Sequence, residues 1–128
     1  MRVVTKAQAL YSAAVAGDHQ RRSQAIAFLD EELAKRPGNT QLLSMRAHLK
    51  DLAGDESGAL LDHEQAIARE PCSPAHYYNR GVFHDRRGHE QDARRDFSRC
   101  ARLSLAIGDA ETLDAVEHYI SLDDLEPG

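Results

Sequence analysis

The sequence predicts an all-α fold built from repeated helical hairpins, and three observations support this. Alanine and leucine are abundant while aromatic residues make up 5% and Trp is absent, a composition that favours helices over strands. Apolar residues recur every three or four positions, as on one face of a helix. Residue types also recur at a step of 34, which indicates a repeat architecture. We therefore expect one domain over residues 1–122, without strands, and a disordered tail over 123–128.

The 34-residue step appears at several columns of the sequence. They are Pro37 with Pro71, Ala25 with Ala59 and Ala93, Ala13 with Ala47 and Gly81, and Gly54 with Gly88. The prolines each follow a helical pattern, and the glycines each interrupt one. Each repeat is therefore predicted to be a helix, a turn and a second helix.

The second repeat shows the hairpin most plainly. Its first helix has an apolar face formed by Leu42, Leu43, Ala47, Leu49 and Leu52, and its second has one formed by Ala59, Leu60, His63, Ala66 and Ile67. The third repeat follows with Tyr77, Gly81 and His84, then with Ala93, Phe97 and Cys100. Small residues at Ala47 and Gly81, facing Ala59 and Ala93, let the two helices approach closely.

The first repeat departs from this spacing. Gly17 and Asp18 begin eight residues before Ala25, whereas Gly54 and Gly88 lie five before their alanines. About three extra residues therefore fall near the first turn, and the first helix can be aligned in two ways that differ by three residues.

A last amphipathic helix is predicted over residues 109–122, which brings the expected number of helices to seven. Gly108 ends the preceding helix and Asp109 is its expected N-cap. The apolar residues of this helix are Leu113, Val116, Tyr119, Ile120 and Leu122. We expect them to cover the second helix of the third repeat, with the acidic side chains near Arg94, Arg95, Arg99 or Arg102.

This pattern resembles the tetratricopeptide repeat family, whose 34-residue hairpins have small residues at positions 8 and 20 and a proline at 32. The corresponding repeats are residues 6–39, 40–73 and 74–107, followed by a capping helix over 109–122. Leu105 stands where the third repeat would have its proline. The resemblance implies a right-handed superhelical stack of antiparallel hairpins, with the first helix of each hairpin lining a concave groove that binds a peptide segment of another protein.

The resemblance also indicates which residues would line that groove. They are Leu10, Ala14, Gln41, Ser44, Met45, His48, Tyr78, Asn79, Val82, Asp85 and Arg86. Tyr78 is the strongest candidate, because Tyr77 already takes the family's core aromatic position; packing of Tyr78 between repeats is the alternative. Positions that bind a carboxylate terminus in chaperone-binding members lack Lys and Arg here, so that type of co-chaperone is not expected.

Enzyme chemistry is not predicted. The seven histidines form no His-Glu-x-x-His motif and no i, i+4 pair. His84 with Asp85 and His89 with Glu90 flank one turn, but surface histidines explain them, so we predict neither a metal nor a cofactor. Cys72 and Cys100 are too few for a disulfide scaffold, and Cys100 is expected to be buried.

Charge and hydropathy limit the classes of partner that the sequence favours. The net charge is −5, and no basic stripe of the kind that binds nucleic acid is present. No window approaches the ~20 apolar residues that span a bilayer. We predict a soluble, cytoplasmic adaptor or dedicated chaperone that binds another protein, and, as the alternative, a structural protein that self-associates through its first repeat, for example as a homodimer.

Overall fold

The computed structural model describes residues 3–125, which contain seven α-helices and no strand. The helices are α1 (Val3–Val15), α2 (His19–Lys35), α3 (Thr40–Leu52), α4 (Glu56–Arg69), α5 (Pro74–Arg86), α6 (Glu90–Ile107) and α7 (Ala110–Val116), followed by a 3-10 turn at Leu122–Asp124. The predicted all-α fold class is confirmed. The last part of the predicted tail, residues 126–128, lies outside the described residues, as do residues 1–2.

The chain forms two compact units that divide between Arg69 and Glu70. In the first unit, α1 packs against α2 and α3, α2 packs against α3, and α3 packs against α4. In the second unit, α5 packs against α6, and α7 packs against both. Consecutive helices within each unit therefore form hairpins, while the single domain over residues 1–122 and its superhelical shape stay predictions.

The helix ends use the signals expected from the sequence. Gly54, Gly88 and Gly108 have φ values of +90°, +73° and +74°, a left-handed conformation that suits glycine after a helix. The Asn39 side chain accepts a hydrogen bond from the backbone N–H of Leu42 at 3.1 Å. The Asp109 carboxylate accepts one from the N–H of Thr112 at 3.0 Å, which confirms the predicted N-cap.

The first hairpin has its extra residues at the start of its second helix. α2 begins at His19, six residues before Ala25, whereas α4 begins only three residues before Ala59. The alignment of α1 that is shifted by three residues is therefore the correct one. Gly17 follows α1 without the left-handed conformation of Gly54, so this turn is built differently from the others.

The two units have different cores. The first is aliphatic, with buried residues Ala7, Ala14, Ala25, Leu29, Leu33, Leu42, Leu43, Met45, Leu49 and Ala66. The second is built around Phe97, and a Cβ atom at Gly81 would lie 2.6 Å from Phe97 Cε1. Close approach of α5 to this ring therefore requires glycine. Cys100 is fully buried, as predicted, and burial raises the pKa of its thiol to about 11.

The final helix is shorter than predicted. α7 ends at Val116 rather than at residue 122, and the chain then turns so that Ile120, Leu122 and Leu125 pack against the Phe97 core. Residues 123–125, assigned to a tail from the sequence, are thus part of the folded unit. Helical spacing alone would not bring Leu125 to this core. Asp124 lines a shallow cavity with Arg94, Arg95 and Arg102, three of the arginines predicted to lie near the acidic side chains.

Candidate functional site

An arginine–aspartate bridge fixes the first helix of the second hairpin. The Arg46 guanidinium donates two hydrogen bonds to the Asp62 carboxylate, from Nε at 2.8 Å and from Nη2 at 2.7 Å. Asp62 is 1% exposed, so this bidentate pair lies inside the hairpin and joins α3 to α4. Such a fork-shaped pair sets orientation as well as energy.

The same bridge occurs in the third hairpin. Arg80 donates to Asp96 from Nε and Nη2, both at 2.8 Å. Neither bridge was predicted from the sequence, although Arg46 and Arg80, like Asp62 and Asp96, stand 34 residues apart. That shared step was the signal in the sequence that a charge pair repeats with the fold.

Arg46 also reaches the second helix of the first hairpin. Its Nη1 donates to Asp30 of α2 at 2.9 Å, while Lys50 Nζ lies 3.5 Å from Asp62. Three helices of the first unit are therefore joined through one side chain. This network holds α3 in one rotation, with Leu42, Met45 and Leu49 inside.

The opposite side of α3, together with α1, forms a polar strip that we call the α1–α3 surface, consisting of Tyr11, Gln41, Ser44 and His48. Gln41 is exposed, and the other three residues are half-buried. The Tyr11 hydroxyl and His48 Nδ1 are hydrogen bonded at 2.5 Å, and the rings lie 5.6 Å apart. Burial raises the pKa of Tyr11, so its hydroxyl stays protonated at neutral pH.

Three other predicted groove residues of the first unit lie at or in its core. Ala14 is 0% exposed and Met45 is 6% exposed, while Leu10 is half-buried against the core. Ala14 and Met45 therefore lie in the core of the first unit and not on an exposed groove surface. Ala14 belongs to the aliphatic core cluster of the first unit, and Met45 shares its helix face with Leu42 and Leu49.

The predicted residues of the second unit divide into two groups. Tyr78 and Val82 are half-buried and pack against the Phe97 core. The Tyr78 ring lies 6.2 Å from the ring of Phe97 and 6.0 Å from that of Tyr119. This placement favours the alternative that Tyr78 is a packing residue.

The remaining predicted residues lie along α5. Asn79 is half-buried, while Asp85 and Arg86 are exposed in the last turn of the helix. The structure thus brings Tyr11, Ser44 and His48 together in the first unit and places these three polar residues separately in the second. Hydrogen-bonding side chains on helix faces suit recognition of a polypeptide, whose backbone offers both donors and acceptors.

Among residues 3–125, none of the helices has both the length and the apolar character needed to cross a bilayer.

Comparison with known proteins shows two curated relatives. The chain is 35% identical over 95 residues to tetratricopeptide repeat protein 36 of Homo sapiens, a match that covers 71% of this chain and 49% of that protein. It is 36% identical over 95 residues to tetratricopeptide repeat protein 36 of Bos taurus, with the same coverage. The chain spans about half the length of the curated relatives it matches. No protein-family model matches it.

Proposed function

Because the chain belongs to the tetratricopeptide repeat family, we propose that it is a protein-interaction module that binds a peptide segment of a partner protein. The binding residues that we propose in the first unit are those of the α1–α3 surface. In the second unit, Asn79, Asp85 and Arg86 of α5 are proposed as binding residues in their own right. The cellular role would be that of a small cytoplasmic adaptor or dedicated chaperone, acting by binding rather than by catalysis.

The observation that supports this proposal most strongly is the hydrogen-bonded pair of Tyr11 and His48. It places two amphipathic side chains next to each other, one from α1 and one from α3, the first helices of two successive hairpins. Along α3, Ser44 lies one turn before His48, and Gln41 lies one turn before Ser44. The rings of this surface offer apolar contacts, and its polar side chains offer hydrogen-bond donors and acceptors along its length. A bound segment can therefore satisfy its own backbone groups while burying apolar side chains against the rings.

The test uses peptides selected from a random display library on the purified full chain. Binding of the selected peptides is measured by fluorescence polarisation for the Gln41→Arg, Ser44→Arg variant. A matched control is Gln65→Arg, Ala68→Arg, which places the same charges at the same spacing on exposed positions of α4.

We expect the α3 variant to bind at least about tenfold more weakly, which corresponds to about 1.4 kcal/mol, and the α4 control to match the original protein. Circular dichroism should give the same helical content for all three proteins. Equal affinities for the α3 variant and the original protein would reject this surface as the binding site.

Self-association is the second candidate function, and one observation favours it. Leu105 and Ile107, at the end of α6, are 53% and 63% exposed, and a second copy of the chain would bury this apolar surface. If this end of α6 joins two copies, sedimentation equilibrium will show a dimer for the original protein and a monomer for Leu105→Glu, Ile107→Glu. A monomer at all concentrations for the original protein would exclude this function.

A further inference from the structure

Three potential metal ligands meet at the turn that joins α5 to α6. His84 lies in the last turn of α5, His89 precedes the first residue of α6, and Asp92 lies in the first turn of α6. Each offers one ligand atom, and these three atoms all lie within 4.8 Å of one another. The two histidines were recognised in the sequence as flanking one turn, but Asp92 was not, and no metal was predicted.

The distance between the two imidazoles has the value that a shared metal ion requires. Nδ1 of His84 and Nδ1 of His89 are 3.4 Å apart. Two nitrogen ligands about 2.0 to 2.1 Å from a tetrahedral zinc ion lie about 3.4 Å from each other. Without an ion, the same two nitrogens form a long hydrogen bond whose donor depends on which ring carries the Nδ1 proton, and an ion bound to both nitrogens would replace that proton.

Backbone bonds hold the two histidines in this arrangement. The N–H of His89 donates to the carbonyl oxygen of His84 at 3.0 Å, and the N–H of Gly88 donates to that of Asp85 at 3.1 Å. The His84 ring also lies edge-on to Phe83, 5.3 Å between centroids. The pair of ligands is therefore preorganised by the helix end and by packing, which lowers the entropy lost when an ion binds.

The carboxylate of Asp92 completes the group. Its Oδ1 accepts a hydrogen bond from Arg95, which leaves Oδ2 as a ligand and fixes the direction of the carboxylate, a common arrangement around metal ligands. The Asp92 side chain is 48% exposed and that of Arg95 is 75% exposed. An ion therefore reaches the three ligands from solvent without any rearrangement of the core.

We propose that His84, His89 and Asp92 form a binding site for a divalent transition metal ion of the zinc type, with solvent as the fourth ligand. Two imidazole nitrogens and one carboxylate favour zinc, nickel or copper over magnesium and calcium, which prefer oxygen ligands. A bound ion would join the end of α5 to the start of α6 and stabilise this hairpin. The site is specific to the third repeat, because the second has Lys50, Asp55 and Gly58 at the equivalent positions.

Zinc binding is measured by isothermal titration calorimetry on the full chain in buffer freed of metal. The variants His84→Gln, His89→Gln and Asp92→Asn each remove one ligand. Two controls, His19→Gln and His118→Gln, remove exposed histidines outside the cluster. His89 is itself exposed, so its substitution leaves the fold intact and keeps the test decisive if the half-buried His84 is needed for stability.

We expect one zinc ion per chain, with at least about tenfold weaker binding for each ligand variant and unchanged binding for both controls. Cobalt as the probe should give the visible absorption of a four-coordinate ion in the original protein and lose it in His89→Gln. The proposal is overturned if His89→Gln binds zinc like the original protein, or if either control weakens binding as much as the ligand variants do.

Discussion

The two units solve the same packing problem in different ways. Each contains a hairpin with an internal arginine–aspartate bridge and a left-handed glycine at its turn: α3–α4 in the first unit and α5–α6 in the second. The first unit covers this hairpin with a second hairpin, α1–α2, and an aliphatic core. The second covers it with the seven-residue α7 and the chain up to Leu125, which pack around Phe97. A hairpin of this type thus needs a cover, but the cover need not be another repeat.

Removing the cover of the second unit should have the largest effect. Ending the chain at Gly108 leaves only residues 70–108 in this unit, and chains below about 40 residues rarely bury enough surface to fold alone. We expect the amides of α5 and α6 to lose their protection from hydrogen exchange while those of α1–α4 keep theirs. Mass spectrometry of exchanged peptides measures this directly.

A charge control separates packing from electrostatics in that experiment. The full-length variant Glu111→Gln, Asp114→Asn neutralises two exposed acids of α7 and should change stability by no more than about 1 kcal/mol. If the truncated chain retains full protection in α5 and α6, the hairpin is stable without its cover and the comparison between the units fails.

Replacing the arginine of each bridge should lower the free energy of unfolding, and by more in the second unit than in the first. Arg80→Met leaves the Asp96 carboxylate, whose side chain is 6% exposed, without its bidentate partner, and such a loss costs about 3 to 5 kcal/mol. Arg46→Met should cost about 1 kcal/mol less, because Lys50 remains 3.5 Å from Asp62. Urea unfolding of the two variants gives both values.

A double variant tests whether the buried charge is the cause. Arg80→Met, Asp96→Leu replaces both partners by apolar side chains and should recover most of the stability lost in Arg80→Met. If the double variant is no more stable than the single one, the loss arises from packing of the arginine chain and not from an unpaired carboxylate.

The smallest effect is expected where α5 meets Phe97. Gly81→Ala would place a methyl group 2.6 Å from Phe97 Cε1, and overpacking of this kind costs about 1 to 3 kcal/mol, offset by the gain of about 1 kcal/mol from replacing a helical glycine. A net loss of about 1 kcal/mol in thermal unfolding is therefore expected. Adding Phe97→Leu should remove the clash, so Gly81→Ala should then be neutral or stabilising. A stabilising Gly81→Ala in the original background would contradict the contact.

The periodic features of the fold were predictable from the sequence because they depend on local chemistry. Gly54, Gly88 and Gly108 follow helices in the left-handed conformation, which a residue without Cβ adopts easily. Asp109 caps α7 by accepting a hydrogen bond from the backbone N–H three residues later. The shifted alignment of the first repeat also followed, as one of two options, from the distance between Gly17 and Ala25.

The side-chain partnerships were not predictable in the same way. Arg46 and Asp62 stand 16 residues apart and meet only because of how α3 is rotated against α4, a quantity that helical periodicity does not fix. The burial of Met45 and the packing of Tyr78 depend on that same rotation and on where the chain turns after Val116. Asp92 joins His84 and His89 for a similar reason, since two helix ends bring it there.

The short span of each bridge has a consequence for how the protein is made. Arg46 with Asp62, and Arg80 with Asp96, each close a loop of only 16 residues, and short loops lose little entropy on closing. During synthesis, a hairpin can acquire its internal bridge as soon as its second helix leaves the ribosome, before any later repeat exists. Folding can then advance hairpin by hairpin along the nascent chain, and α7, which leaves the ribosome after α6, completes the second unit.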